Sequence, residues 1–194
     1  YCNSTYQSAS QALSDAKSAH ELRIAYLLGS DGTNTMPESS MQASVVDAAG
    51  DNVMKLDPLG TPDSGTKTSA QQIALWNPDL MLFASQRAFN TLPTRKPWKS
   101  TAAIRSKCYY KVPRLPYNWL SSPIGPNQLL GMQWLALICD ANGADADDAD
   151  AGNAGTADEN RIDLKACVAE HLEILYHHKL TNAEYKQMTK HALP

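Results

Sequence analysis

Hydrophobic and polar positions change period several times along the chain. "LRIAYLL" (22–28) is a short apolar run that reads as a buried strand, and "GSDGTNTMP" behind it is all breaker chemistry. "SSMQASVVDAAG" (39–50) predicts a helix ended by Gly50, "NVMKL" (52–56) a short strand, and "DPLGTPDSGTKT" (57–68) a loop. Ser69 with Gln72 forms a capping box that opens a helix over "AQQIALW" and stops before Pro78. "DLMLFAS" (79–85) is a second apolar strand, "PWKSTAAIRS" (97–106) a short helix with Pro in its first turn, and "CYYKVP" (108–113) a third strong strand. Strands alternating with helices imply an α/β fold, a parallel sheet flanked by helices on both faces.

From residue 127 onward the pattern turns helical. "NQLLGMQWLALICD" (127–140) is apolar nearly all round, which predicts a buried helix, with Gly131 allowing close packing. "IDLKACVAEHLEILYHH" (162–178) keeps Leu164, Val168, Leu172 and Leu175 on one stripe, and Thr181 with Glu184 is a second capping box. Residues 1–21 are polar throughout and read as a separate N-terminal segment before an α/β unit spanning 22–194. They contain no secretion signal, and an opening Tyr1 reads as a processed product or as part of a longer chain. Between the last two long helical patterns, residues 140–160 are rich in Ala, Asp, Gly and Asn and predict a disordered acidic insertion. Asp140, Asn142 and Asp145 loosely match a calcium loop, but Ala151 stands where the bidentate Glu is needed, so a solvated loop is the expectation.

Composition narrows the function classes. The net charge of −3 hides an asymmetry, because seven of the 20 acids lie in 140–160, leaving 13 acids against 17 bases elsewhere. That body is not basic enough for nucleic acid, though it tolerates an anionic small ligand. No apolar run approaches the ~20 residues of a membrane span. Four cysteines (Cys2, Cys108, Cys139, Cys167) are too scattered for a disulfide framework or a metal knuckle. Cys139 and Cys167 lie on successive helices and could pair outside the cytoplasm; buried free thiols are the other reading.

In open parallel sheets, ligands bind outside the carboxyl ends of the strands. Thr33 and Asn34 follow the first strand, Arg87 the second, and Arg114, Tyr117, Asn118 and Trp119 the third. Each has a plain structural reading: Tyr117 and Trp119 as caps on the core edge, Arg114 as a surface charge, the 31–35 stretch as a turn. Their convergence on one edge favours a binding face. The proline-fenced run "PRLPYNWLSSPIGPN" (113–127) suits a stiff, ligand-facing wall. No residue pattern points to catalysis, a cofactor or a metal: G-x-S-x-G, Walker and G-x-G-x-x-G motifs are absent. His20, His171, His177, His178 and His191 lack partners at zinc spacing, and His171 with His178 reads as a solvated helix face.

In order along the chain, "RIAYLLGSDGTNTMPESSMQASVVDAAGDNVMKL", "ALWNPDLMLFAS", "PWKSTAAIRSKCYYKVP", "PYNWLSSPIGPNQLLGMQWLA" and "LEILYHHKLTNAEYKQM" resemble the C-terminal lobe of ABC-importer substrate-binding proteins. The branch is the one that captures ferric siderophores, haem, cobalamin and, in part, molybdate or tungstate. The resemblance implies one Rossmann-like lobe of a two-lobed periplasmic-binding-protein fold, with residues 1–21 as the end of the connection between lobes. It implies a non-enzymatic, extracytoplasmic protein, periplasmic or at the cell surface, with or without a lipid anchor. Its partners would be an iron or metal chelate, the membrane permease and an N-terminal lobe that this stretch lacks. Arg114, Tyr117, Asn118, Trp119, Thr33, Asn34 and Arg87 would line this lobe's share of the cleft. A bare oxyanion would instead favour Arg114, Thr33 and Asn34. From another class, half of a nitrogenase-like metallocofactor enzyme would want cysteines at strand-end loops, and Cys108 begins its strand instead. An interaction module using the acidic insertion is a further alternative.

Overall fold

The computed structural model describes residues 1–55, 65–143 and 162–194. The chain opens with helix α1 (Cys2–Ala19), then strand β1 (Arg23–Leu28), a short β2 (Asn34–Thr35), helix α2 (Ser44–Ala49) and β3 (Asp51–Asn52). Next come β4 (Thr66–Lys67), α3 (Ala70–Trp76), β5 (Leu80–Phe83), α4 (Gln86–Thr91), α5 (Ala102–Arg105) and β6 (Tyr109–Lys111). Helices α6 (Asn127–Gly143), α7 (Leu164–Tyr176) and α8 (Asn182–Met188) finish it.

The sheet order is β4-β2-β1-β5-β6, with β3 also pairing with β1. β1 runs parallel to β3 and β5, and β5 parallel to β6, as the alternating pattern predicts. The outer pair differs: β2 folds back antiparallel on β1 and β4 antiparallel on β2, so the loop after β1 is a hairpin. Side chains alternate across the sheet. Ile24, Tyr26, Leu80 and Leu82 join one core with α1, α6 and α7, while Ala25, Leu27, Met81 and Phe83 join a second core with α3 to α5. Burial on both faces explains why these strands read as unbroken apolar runs.

Helix α1 was not legible as a helix. Its buried stripe is Thr5, Ala9, Leu13 and Ala16, a helical spacing carried by small residues and a single leucine. Small side chains let α1 lie close along α6, its main packing partner. Helix α4 was also missed, although Ser85 caps it by accepting from the Ala88 amide. The helix expected over 97–106 is instead broken at Thr101, which is extended and buried. The Thr101 hydroxyl donates to the Trp98 carbonyl at 2.8 Å, and the Asn77 side chain accepts from the Ala102 amide where α5 restarts. The Ser69 cap and the Thr181–Glu184 capping box are both present. At 140–143 the acidic stretch continues α6, and the rest of the expected insertion lies outside the described residues, as does most of the 57–68 loop.

His171 is a correction. It faces the interior with no exposed surface, because its helix turns it toward Tyr1, just ahead of α1, rather than toward solvent with His178. The Tyr1 hydroxyl lies 3.1 Å from His171 Nδ1, and Nε2 is buried with no partner. Burial holds the imidazole below its ordinary value of 6.5, and burial, then the nearby Glu170, pushes the Tyr1 phenol up to about 12. A depressed histidine leaves the fold at full strength above its unfolded value and weakens it as pH falls through the folded one. Denaturant unfolding should therefore show His171→Gln losing less stability than the parent between pH 7.5 and 5.5. Parallel losses in the two proteins would contradict this.

Candidate ligand-binding edge

Because β1, β5 and β6 are adjacent and parallel, their carboxyl ends share one edge, with Leu27, Phe83 and Lys111 in register. The segments that leave this edge are 29–33, 84–87 and 112–126. Thr33 and Asn34 sit at the hairpin end, half-buried. Gly32, at φ +67°, packs so tightly that an added Cβ would lie 2.4 Å from Leu92. Hydrogen bonds from Thr33 hold the Asp31 carboxyl below the usual carboxylate range. Asn34 Oδ1 is buried with no partner. Arg87 is exposed on the first turn of α4.

The 113–121 run divides into outward and inward groups. Arg114 is exposed, and Leu115 and Tyr117 are 42% and 49% exposed. Trp119, expected on the ligand face, has no exposed surface: its ring lies in the core and its indole N–H donates to the Leu115 carbonyl at 2.9 Å. It braces the wall from behind and does not stack on a ligand. Asn118 is likewise committed inward. Its Oδ1 accepts from the Leu120 and Ser121 amides at 2.8 and 3.1 Å, and its Nδ2 donates to the Tyr26 hydroxyl at 3.1 Å. Tyr26 and Ser121, both buried, hydrogen-bond at 3.0 Å. Sequence reasoning missed Tyr26, Ser121 and Asn127; an aromatic hydroxyl inside an otherwise aliphatic strand is the one signal that could have drawn attention.

Helix α6 backs the run. Asn127 Nδ2 donates to the Asn118 carbonyl, and Gln128 Nε2 donates to the Leu120 carbonyl at 3.0 Å. Gly131 lies so close that a Cβ there would come within 2.1 Å of the Trp119 carbonyl oxygen. Tyr117 packs toward Tyr176 of α7 with ring centroids 6.5 Å apart. A 370 Å³ groove lined by Leu115, Pro116, Leu172, Tyr176 and Met188 adjoins this outer side. A 520 Å³ groove between α1, α2 and α6 reaches Gly125 and Gln128 but includes none of the expected site residues. Cys108 sits before β6, at the sheet edge opposite these loops, and all four cysteines are free thiols. Among the described residues, no group of three His, Cys, Asp or Glu side chains could hold a metal ion. The arrangement can present arginine, phenol and apolar surface to a ligand on a rigid backing.

This architecture is that of one lobe of a periplasmic binding protein. An ABC transporter solute binding protein from Sulfurospirillum deleyianum DSM 6946 superposes with a TM-score of 0.74 at 20% identity, over 97% of this chain and 55% of its own. The molybdate periplasmic binding protein MolA of Haemophilus influenzae, bound to molybdate, superposes with a TM-score of 0.60 at 17% identity, over 92% and 51%. The periplasmic vitamin B12 binding protein BtuF of Vibrio cholerae gives 0.56 at 13% identity, over 72% and 52%. The chain thus spans about half the length of the solved structures it matches. Neither a protein-family model nor a curated protein matches this sequence.

Gly131→Ala should force α6 and the 118–120 backbone apart. Overpacking of this kind costs roughly 1–3 kcal/mol, and at this chain length each kcal/mol lowers the melting midpoint by about 2–4 °C. An unchanged melting midpoint would show that the close approach is not structural.

Proposed function

We propose that this chain is the C-terminal ligand lobe of a substrate-binding protein serving an ABC importer, and that it captures an iron or similar metal chelate outside the cytoplasmic membrane. The observation that carries the reading is the edge itself: three loops from adjacent parallel strands, on a lobe whose fold recurs in solute-binding proteins. Arg114 and Tyr117 form the ligand-facing part of the wall, with Thr33, Asn34 and Arg87 as the neighbouring donors. A ferric chelate is large, often anionic and partly aromatic, which suits a guanidinium beside a phenol ring. No step of this role needs bond chemistry. The membrane permease and a second lobe completing the cleft are the partners it requires. Molybdate or tungstate is the alternative ligand, with Arg114, Thr33 and Asn34 as its donors; the partnerless Asn34 Oδ1 is an acceptor and does not favour an oxyanion.

Isothermal titration of the complete gene product with a ferric hydroxamate, haem, cobalamin, molybdate and tungstate tests this. One ferric chelate should bind saturably, and Arg114→Ala should weaken it about tenfold or more, as loss of a charge-assisted contact does. Trp119→Ala should act differently, lowering stability by about 3–5 kcal/mol through loss of a core ring. Saturable binding that Arg114→Ala and Tyr117→Ala leave untouched would remove the wall from the site.

A further inference from the structure

The loop after β6 leaves its neighbour β5 at the Val112 amide, which donates to the Phe83 carbonyl, and further along it bonds to β1, one strand further across the sheet. The link is Asn118 Nδ2 donating to the Tyr26 hydroxyl at 3.1 Å, with Ser121 Oγ on the same hydroxyl at 3.0 Å. Tyr26 sits in the middle of β1, opposite Leu82 of β5, and is wholly buried. Two residues further on, β1 ends in the hairpin that carries Thr33 and Asn34. One hydroxyl therefore ties the Arg114–Tyr117 wall to the strand that bears the opposite side of the edge.

We propose that Tyr26, which touches no ligand, is a positioning residue that fixes the separation between the Arg114–Tyr117 wall and the Thr33–Asn34 hairpin, and so sets ligand size selectivity. This rests on the binding role proposed above. A phenol on a buried strand has almost no freedom, so the wall inherits the rigidity of the sheet. Removing the hydroxyl takes this partner from buried Ser121 Oγ and part-buried Asn118 Nδ2, and the loop must move to satisfy them. Burial raises the Tyr26 phenol above its ordinary value, and the bonds to Ser121 and Asn118 and then the Arg114 charge oppose that rise.

The test is Tyr26→Phe in the complete gene product, which keeps the ring and deletes only the link. Without ligand, amide exchange at Leu120 and Ser121, the donors to Asn118 Oδ1, should speed up at least tenfold while melting falls by only a few degrees. With ferric hydroxamate and molybdate as probes, the preferred one should lose about tenfold in affinity and the ratio between them should shrink. The effect should be non-additive with Tyr117→Ala, since both act through one loop. Tyr110→Phe, which deletes a hydroxyl bonded to Asn142 on the same sheet, should leave both affinities unchanged. If Tyr26→Phe does not fold, Ser121→Ala, which deletes only the second bond to the Tyr26 hydroxyl, should give a smaller change in the same direction. Unchanged exchange at Leu120 and Ser121, or faster exchange with unaltered affinities, overturns the proposal. If neither probe binds the parent protein, the binding role fails while the exchange result still decides whether Tyr26 holds the loop.

Discussion

Everything on the candidate edge depends on how closely α6 approaches the 118–120 backbone. At Gly131 there is no room for even a methyl group beside the Trp119 carbonyl. That approach puts Asn127 and Gln128 within reach of the Asn118 and Leu120 carbonyls, so a proline-fenced run becomes a braced wall. Trp119 is buried as a consequence: with α6 pressed against its backbone, the ring has only the core to enter. A larger residue at 131 would leave the same loop sequence without its backing.

The lobe as a whole shows the same division of labour. Its parallel strands are buried on both faces and carry no functional side chain outward. They do place three loops side by side, at the carboxyl ends of adjacent parallel strands. Polar chemistry behind the edge holds the loop after β6. Tyr26, Ser121, Asn118 and Asn127 make buried or part-buried hydrogen bonds that each contribute about 1 kcal/mol net, yet each would cost more if its partner were removed.

Much of this was legible in the sequence. β1, β5 and β6 showed as apolar runs, and Ser69 and Thr181 announced their helices through local capping chemistry. The strand-end rule then named the loops that share an edge. What failed was side-chain direction within a loop. Trp119 and Arg114 lie five residues apart with no periodicity between them, so nothing local tells which turns inward. His171 failed for a related reason: the stripe of Leu164, Val168 and Leu172 already implied that residue 171 lies at its border, and the pattern of α7 alone does not show that Tyr1 packs against it. α1 itself hid behind small residues, whose burial depends on how near α6 comes. The antiparallel β2 and β4 are two residues each, too short for a period.

The most direct measurement of the central claim is a map of amide-exchange protection when the complete gene product is saturated with the chelate it binds. Protection confined to residues 29–34, 84–87 and 112–121 within this lobe is the result expected if the strand-end edge holds the ligand. Protection centred instead on the groove between α1, α2 and α6, with the three loops unchanged, would contradict it.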